Sequence, residues 1–159
     1  MGKKEHLPVI GVGPLYVITI IAVTIAGIIV SDSSVFNSGR IEMLRIPFLI
    51  IGVILIIMGI SFWAASVFKS QLDKNIKSNT LVTTGIYSHV RNPIYSGFML
   101  MCTGALLIKN NCWLLILPFV FWMFMTVLMK NTEEKWLGNL YGEEYIEYCK
   151  RVNRCIPWF

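Results

Sequence analysis

The chain has 159 residues, 55% of them hydrophobic and only 14% charged. A soluble domain carries roughly 25% charged residues, so this composition excludes an ordinary soluble domain and predicts a membrane-embedded one. The net charge of +5 does not describe a nucleic-acid surface, because the basic residues lie between apolar runs and form no continuous face; it reads as membrane orientation. Cys102, Cys112, Cys149 and Cys155 include no Cys-x-x-Cys pair and no metal-ligand spacing, so they are read as reduced thiols and no metal is expected.

In chain order, the first apolar run is Leu7 to Val30, after Lys3 and Lys4. It is longer than the roughly 7–15 residue core of a signal peptide and lacks a clean small-x-small cleavage site, which predicts a retained transmembrane helix. The second run, Ile46 to Phe68, is uncharged and also long enough to cross. Gly52 and Gly59 sit seven apart within it and allow close helix packing. The third, Ile94 to Ile108, has 15 residues. At about 1.5 Å per residue it reaches roughly 22 Å, so its start at Pro93 is expected slightly below the lipid surface, forming a recess. Lys109-Asn110-Asn111 is too short a link for anything but an antiparallel hairpin into the fourth run, Cys112 to Met129, which Pro118 is expected to bend.

Beyond it, Glu133 to Arg151 has apolar and aromatic residues at three- and four-residue spacing. This predicts one interfacial amphipathic helix or two short ones. The closing Ile156-Pro-Trp-Phe159 is an aromatic tail suited to the headgroup region. If all four runs cross with the N-terminus inside, eleven Lys and Arg are cytoplasmic and three are outside. Both termini and both polar clusters are therefore expected in the cytoplasm. The expected fold is an all-α, polytopic membrane helical bundle of about four transmembrane helices with a C-terminal interfacial helix. It forms one domain over 1–159, with two helices in 1–70 and the functional core in 79–159.

Two polar clusters bracket the hairpin. One is Gly85-Ile-Tyr-Ser-His-Val-Arg-Asn-Pro-Ile-Tyr-Ser-Gly97; the other is Glu133-Glu134 with Tyr141-Gly-Glu-Glu-Tyr145. Polar and ionisable groups at a bilayer edge are costly to desolvate, so their clustering points to one site built from both. Pro93 suits the first helical turn and Asn92 its N-cap, and the free N–H groups there attract a carboxylate. Each residue alone has a plainer reading. Arg91 can contact lipid phosphate, Glu133 and Glu134 can be a solvated helix start, and the tyrosines can form an aromatic belt. His89 can be polar surface and His6 a solvated tail residue.

The ordered set Thr80-Leu-Val-Thr-Thr-Gly-Ile-Tyr87, Arg91-Asn-Pro-Ile-Tyr-Ser-Gly97, Glu133-Glu134, Tyr141-Gly-Glu-Glu-Tyr-Ile-Glu-Tyr148 and Ile156-Pro157 resembles the isoprenylcysteine carboxyl methyltransferase family. That family is related to the phospholipid N-methyltransferases and includes many small bacterial membrane enzymes. The resemblance covers about half the chain. It implies methyl transfer from S-adenosylmethionine to a small-molecule or lipid-like acceptor (a carboxylate, thiol or amine) at the cytoplasmic face of a prokaryotic cell membrane. Nucleic acid is not an implied partner, and oligomeric state is left open. By position, the cofactor would contact Asn79, Thr80, Leu81, Val82, Tyr87, Asn92, Pro93, Ile94, Tyr95 and Glu133. Arg91, Glu134 and Tyr95 would carry the catalysis, and for an amine acceptor Glu134, His89 or a tyrosine could take the proton.

Two departures narrow the expectation. Arg91-Asn92-Pro93 stands where the family often has Arg-His-Pro, so the titratable ring is lost. Met129 stands where the eukaryotic enzymes have a substrate arginine, so a prenylcysteine carboxylate is not the expected acceptor. Two other readings stand beside this one. Sterol-type NADPH reductases share a similar Arg-x-Pro-x-Tyr turn but differ after the hairpin. A non-catalytic membrane scaffold would bind no cofactor.

Overall fold

The computed structural model describes residues 11–69 and 80–156. Among these residues six α-helices follow one another: α1 Gly13–Val30, α2 Arg45–Ala64, α3 Pro93–Ile108, α4 Ile116–Asn131, α5 Glu133–Tyr141 and α6 Glu143–Arg151. No strand occurs among the described residues, and a π-helical turn, Ala65–Lys69, prolongs α2. Among these residues Gly13–Val30, Glu42–Phe68 and Cys112–Tyr141 are long and apolar enough to cross a membrane, while Pro93–Ile108 is shorter. At 16 residues α3 spans about 24 Å, the shortfall expected from the sequence.

Helices α2 and α3 cross on two glycine pairs. A methyl group on Gly59 would lie 2.5 Å from the Gly97 carbonyl oxygen, and one on Gly97 would lie 2.7 Å from that of Gly59. Gly52 and Gly104 repeat the arrangement at 2.7 and 2.5 Å. Gly52 and Gly59 thus serve contact within the chain, where backbone approach replaces the hydrophobic drive that lipid cannot supply. Gly97→Val is expected to destabilise the bundle by about 1–3 kcal/mol through overpacking, read from chemical unfolding in detergent.

The core lies on the other side of α3, where Met99, Cys102 and Leu106 meet Tyr16 and Ile20 of α1 and Phe121, Met125 and Met129 of α4. The outward faces of α1, α2 and α4 expose Ile18, Ile50, Ile57 and Phe119, as lipid contact requires. Pro118 is the third residue of α4, just after the 3-10 turn Cys112–Leu115. It therefore sits in the first helical turn, where proline is tolerated, and not at a mid-helix bend.

At one end of the bundle the α1–α2 loop is fastened to the α3–α4 turn. Asp32 accepts from Arg40 at 2.8 Å and Lys109 at 2.7 Å, and Asn111 donates to the Phe36 carbonyl at 2.9 Å. The Lys109 hydrogen bond holds the Asp32 carboxyl below its ordinary range. The opposite end gathers the start of α1, the start of α3 and the end of α4. There the second of the two expected forms is found, two short helices parted at Gly142, whose φ of +56° suits only glycine without strain. Helix α6 buries Tyr145 and Tyr148 against Leu81, Leu137 and Val152. The chain then returns in extended form along the start of α3.

Candidate functional site

The return segment builds the site. Arg91 N–H donates to the Asn153 carbonyl at 2.8 Å and Asn92 N–H to that of Arg154 at 3.1 Å. The Ser96 hydroxyl donates to the Cys155 carbonyl at 2.8 Å. Residues 152–156 are thereby pinned beside the Arg91–Ser96 turn. Burial pushes the Cys155 thiol up to about 11, so it remains a neutral packing group against Met99.

Asn92 occupies the N-cap position of α3, but its side chain makes no cap hydrogen bond. Its amide donates instead to the Arg154 carbonyl at 3.2 Å. The expected capping role is therefore replaced by a tether to the C-terminal segment, and the first-turn N–H groups after the buried Pro93 have no side-chain cap.

Arg91, Glu134 and Arg154 form one ion cluster. Arg154 holds Glu134 in a two-pronged contact, Nε to Oε1 at 2.6 Å and Nη2 to Oε2 at 2.9 Å. Arg91 Nη1 reaches the same Oε1 at 3.2 Å. Arg91 and Glu134 side chains are only 10% and 15% exposed, so the cluster is largely withdrawn from solvent. The Glu134 hydrogen bonds raise Arg154 above its ordinary value. Both Glu134 oxygens are occupied by guanidinium donors. Arg91 also donates to the Cys149 sulfur, and its Nε is buried with no partner among the described residues.

Glu133 turns the other way from its neighbour. It accepts from the Tyr95 hydroxyl at 2.9 Å, and the backbone N–H groups of Val12 and Gly13 lie near the same carboxylate. No cation lies within ion-pair distance of Glu133 among the described residues, in contrast to Glu134. Tyr16 stacks edge-on to Tyr95 with ring centroids 6.0 Å apart. Adjacent acidic residues thus enter different environments: Glu134 is neutralised by two arginines, while Glu133 is supported by neutral donors and open to a cation.

The remaining residues named from the sequence are distributed around this pair. Tyr87 is buried, and its carbonyl accepts from Tyr148 at 2.6 Å. Leu81 packs on the Tyr145–Tyr148 cluster, Val82 and Ile94 are half-buried and Thr80 is exposed. Asn79 lies outside the described residues, as do His6, Lys3, Lys4 and the tail Pro157–Phe159. His89 is exposed and its Nδ1 stays within its own turn, near Ser88 Oγ at 3.0 Å and the Gly85 carbonyl at 3.3 Å.

Arg154, Cys149, Tyr16 and the Gly11–Gly13 turn were not singled out from the sequence. Arg154 carried one signal, its position two residues before Ile156-Pro157. The α1 residues carried none, because their contacts span more than 70 positions.

The fit to S-adenosylmethionine can be judged from these groups. A half-buried carboxylate without a cation suits an ammonium, and a guanidinium with a buried unpartnered Nε suits a carboxylate. The Tyr87 and Tyr95 rings suit adenine or a sulfonium. The donor set fits. Among the described residues no group of three or more His, Cys, Asp or Glu stands close enough to hold a metal.

Comparison with known proteins agrees in kind. The model of the phospholipid methyltransferase family matches residues 44–144. The protein-S-isoprenylcysteine O-methyltransferase of Schizosaccharomyces pombe is 38% identical over 85 residues, covering 53% of this chain and 36% of that protein. The Saccharomyces cerevisiae protein of the same name is 36% identical over 117 residues, covering 69% of this chain and 48% of that protein. The Homo sapiens protein is 29% identical over 128 residues, covering 74% and 44%. The chain spans about half or less of the length of these curated relatives. No solved structure matches.

Proposed function

This chain belongs to the phospholipid methyltransferase family, and from that premise we propose that it transfers the methyl group of S-adenosylmethionine to a small or lipid-like acceptor at the cytoplasmic membrane face. The observation that carries the reading is Glu133, a carboxylate supported by Tyr95 and by backbone N–H groups, with no cation within ion-pair distance among the described residues. Such a group binds an ammonium with charge-assisted hydrogen bonds.

The donor supplies an electrophilic methyl on a sulfonium, which passes to the acceptor's lone pair as the carbon–sulfur bond breaks and S-adenosylhomocysteine is left. What the chain adds is orientation and exclusion of water. Arg91 takes the donor's carboxylate in this reading, its guanidinium oriented by Glu134, which Arg154 holds in turn. Tyr95 is fixed by Glu133 and by its edge-on contact with Tyr16 at the start of α3. Holding donor and acceptor in line supplies much of the barrier reduction for such a transfer. Glu134 acts through Arg91 and not as a base, since its oxygens already serve two guanidinium groups. A carboxylate or thiolate acceptor needs no base, and among the described residues the Glu134 oxygens, the nearest candidate base for an amine, are already engaged. The acceptor enters between helices from the bilayer.

Isotope-labelled methyl donor, incubated with the detergent-purified protein and separate pools of isoprenoid acids, thiols, lipid amines and phenols, is expected to label an acidic or thiol pool. Arg91→Ala is expected to lower that labelling about 30-fold through weaker donor binding, on the scale of about 2 kcal/mol for a charged hydrogen bond. Labelling of amines alone would overturn the assignment of acceptor class. NADPH consumption without labelling would overturn methyl transfer itself.

A further inference from the structure

The segment matched to the family begins at residue 44, yet α1 reaches the Glu133–Tyr95 pair. Three observations at its first turn agree. The backbone N–H groups of Val12 and Gly13 lie close enough to the Glu133 carboxylate to act on its charge. A methyl on Gly11 would lie 2.4 Å from Glu133 Oε1, and one on Gly13 would lie 2.1 Å from the Tyr95 hydroxyl and 2.5 Å from its ring. Three positions beyond Gly13, Tyr16 is fully buried against Tyr95 and Phe124 and points its hydroxyl at the Phe121 carbonyl.

The first-turn N–H groups of a helix have no intrahelical acceptor, and the helix end carries partial positive charge. Here Pro14 follows Gly13 and offers no N–H of its own, so Val12 and Gly13 are the donors available at the tip. Glycine at 11 and 13 lets this backbone come within contact of the acidic group. A side chain at either position would stand where the carboxylate or the phenol now lies.

We propose that the Gly11–Val12–Gly13 turn is a positioning element of the donor-binding site: it holds the Glu133 carboxylate in place with backbone N–H groups, so that the lone pairs left over by Tyr95 and the turn face the donor's ammonium. This rests on the reading of Glu133 given above. Gly11 and Gly13 are positioning residues and act only through Glu133 and Tyr95. The first helix, which the family segment omits, then becomes a working part of the site and more than a membrane anchor.

A double-mutant cycle read by calorimetric binding of S-adenosylhomocysteine tests this, using full-length wild type, Gly11→Ala, Glu133→Ala and the double variant, with Gly27→Ala as a control on the same helix. A methyl at Gly27 meets only the mobile ends of Leu117 and Leu114, so that variant should bind as wild type does. Gly11→Ala is expected to raise the dissociation constant about tenfold, the scale of one hydrogen bond to a charged group. It should add no further loss once Glu133 is alanine, because the two act as one unit. Gly11→Ala with unchanged or tighter binding overturns the inference, as does a loss that adds in full to that of Glu133→Ala. If wild type binds and Glu133→Ala binds equally well, the reading of Glu133 fails first and the inference falls with it. The two failures are thereby told apart.

Discussion

Glu134→Ala is expected to destabilise the folded protein by about 3–5 kcal/mol, the cost of leaving buried charges unpaired. Its removal abandons two guanidinium groups, Arg91 and Arg154, whose side chains are only 10% and 22% exposed. Glu134→Gln should cost less, since it keeps an acceptor oxygen for Arg154. Arg154→Ala should also cost less, because Glu134 retains Arg91. The ordering Ala, then Gln, in chemical unfolding of the detergent-solubilised protein checks the account. Equal small losses for both would mean that the cluster is solvated and does not hold the return segment on α3.

Glu133→Ala should behave in the opposite way: little loss of stability and a large loss of function. Its carboxylate is held by neutral donors, with no cation in ion-pair reach among the described residues. Removing it releases neutral donors only, which costs less than leaving two guanidinium groups unpaired. The expected effect on kcat/KM for the methyl donor is at least 100-fold, about 2.7 kcal/mol, with KM for the acceptor unchanged. Tyr95→Phe removes one of the three supports and should lose about tenfold. A Glu133→Ala enzyme that turns over normally would leave the ammonium without its partner in this account.

The contrast between these neighbouring glutamates was not legible in the sequence. Glu133-Glu134 opens a helix, and adjacent helical positions point about 100° apart, so the pair was bound to diverge; what each would meet depended on distant chain. The helices themselves were legible, because lipid-length apolar runs and a three-residue link leave few alternatives. So were the short α3 and the role of Gly52 and Gly59 in close packing. The capping role assigned to Asn92 was a fair local inference that a tertiary contact replaced, the Arg154 carbonyl drawing its amide away. The bend assigned to Pro118 failed because the helix boundary lies only two residues before it. Arg154 and the Gly11–Gly13 turn were hidden for one reason: their partners, Glu134 in one case and Glu133 with Tyr95 in the other, lie 20 to more than 80 positions away, and no periodic pattern records such a meeting.

The most direct test of the central claim is a calorimetric titration of the purified wild-type protein with S-adenosylhomocysteine, in detergent that keeps it folded. The account predicts saturable binding at one site per chain that is weakened about 100-fold in Glu133→Ala while the variant's unfolding midpoint stays close to that of wild type. Absence of binding to folded wild-type protein would contradict the assignment of a methyl-donor site to the Arg91, Tyr95 and Glu133 region.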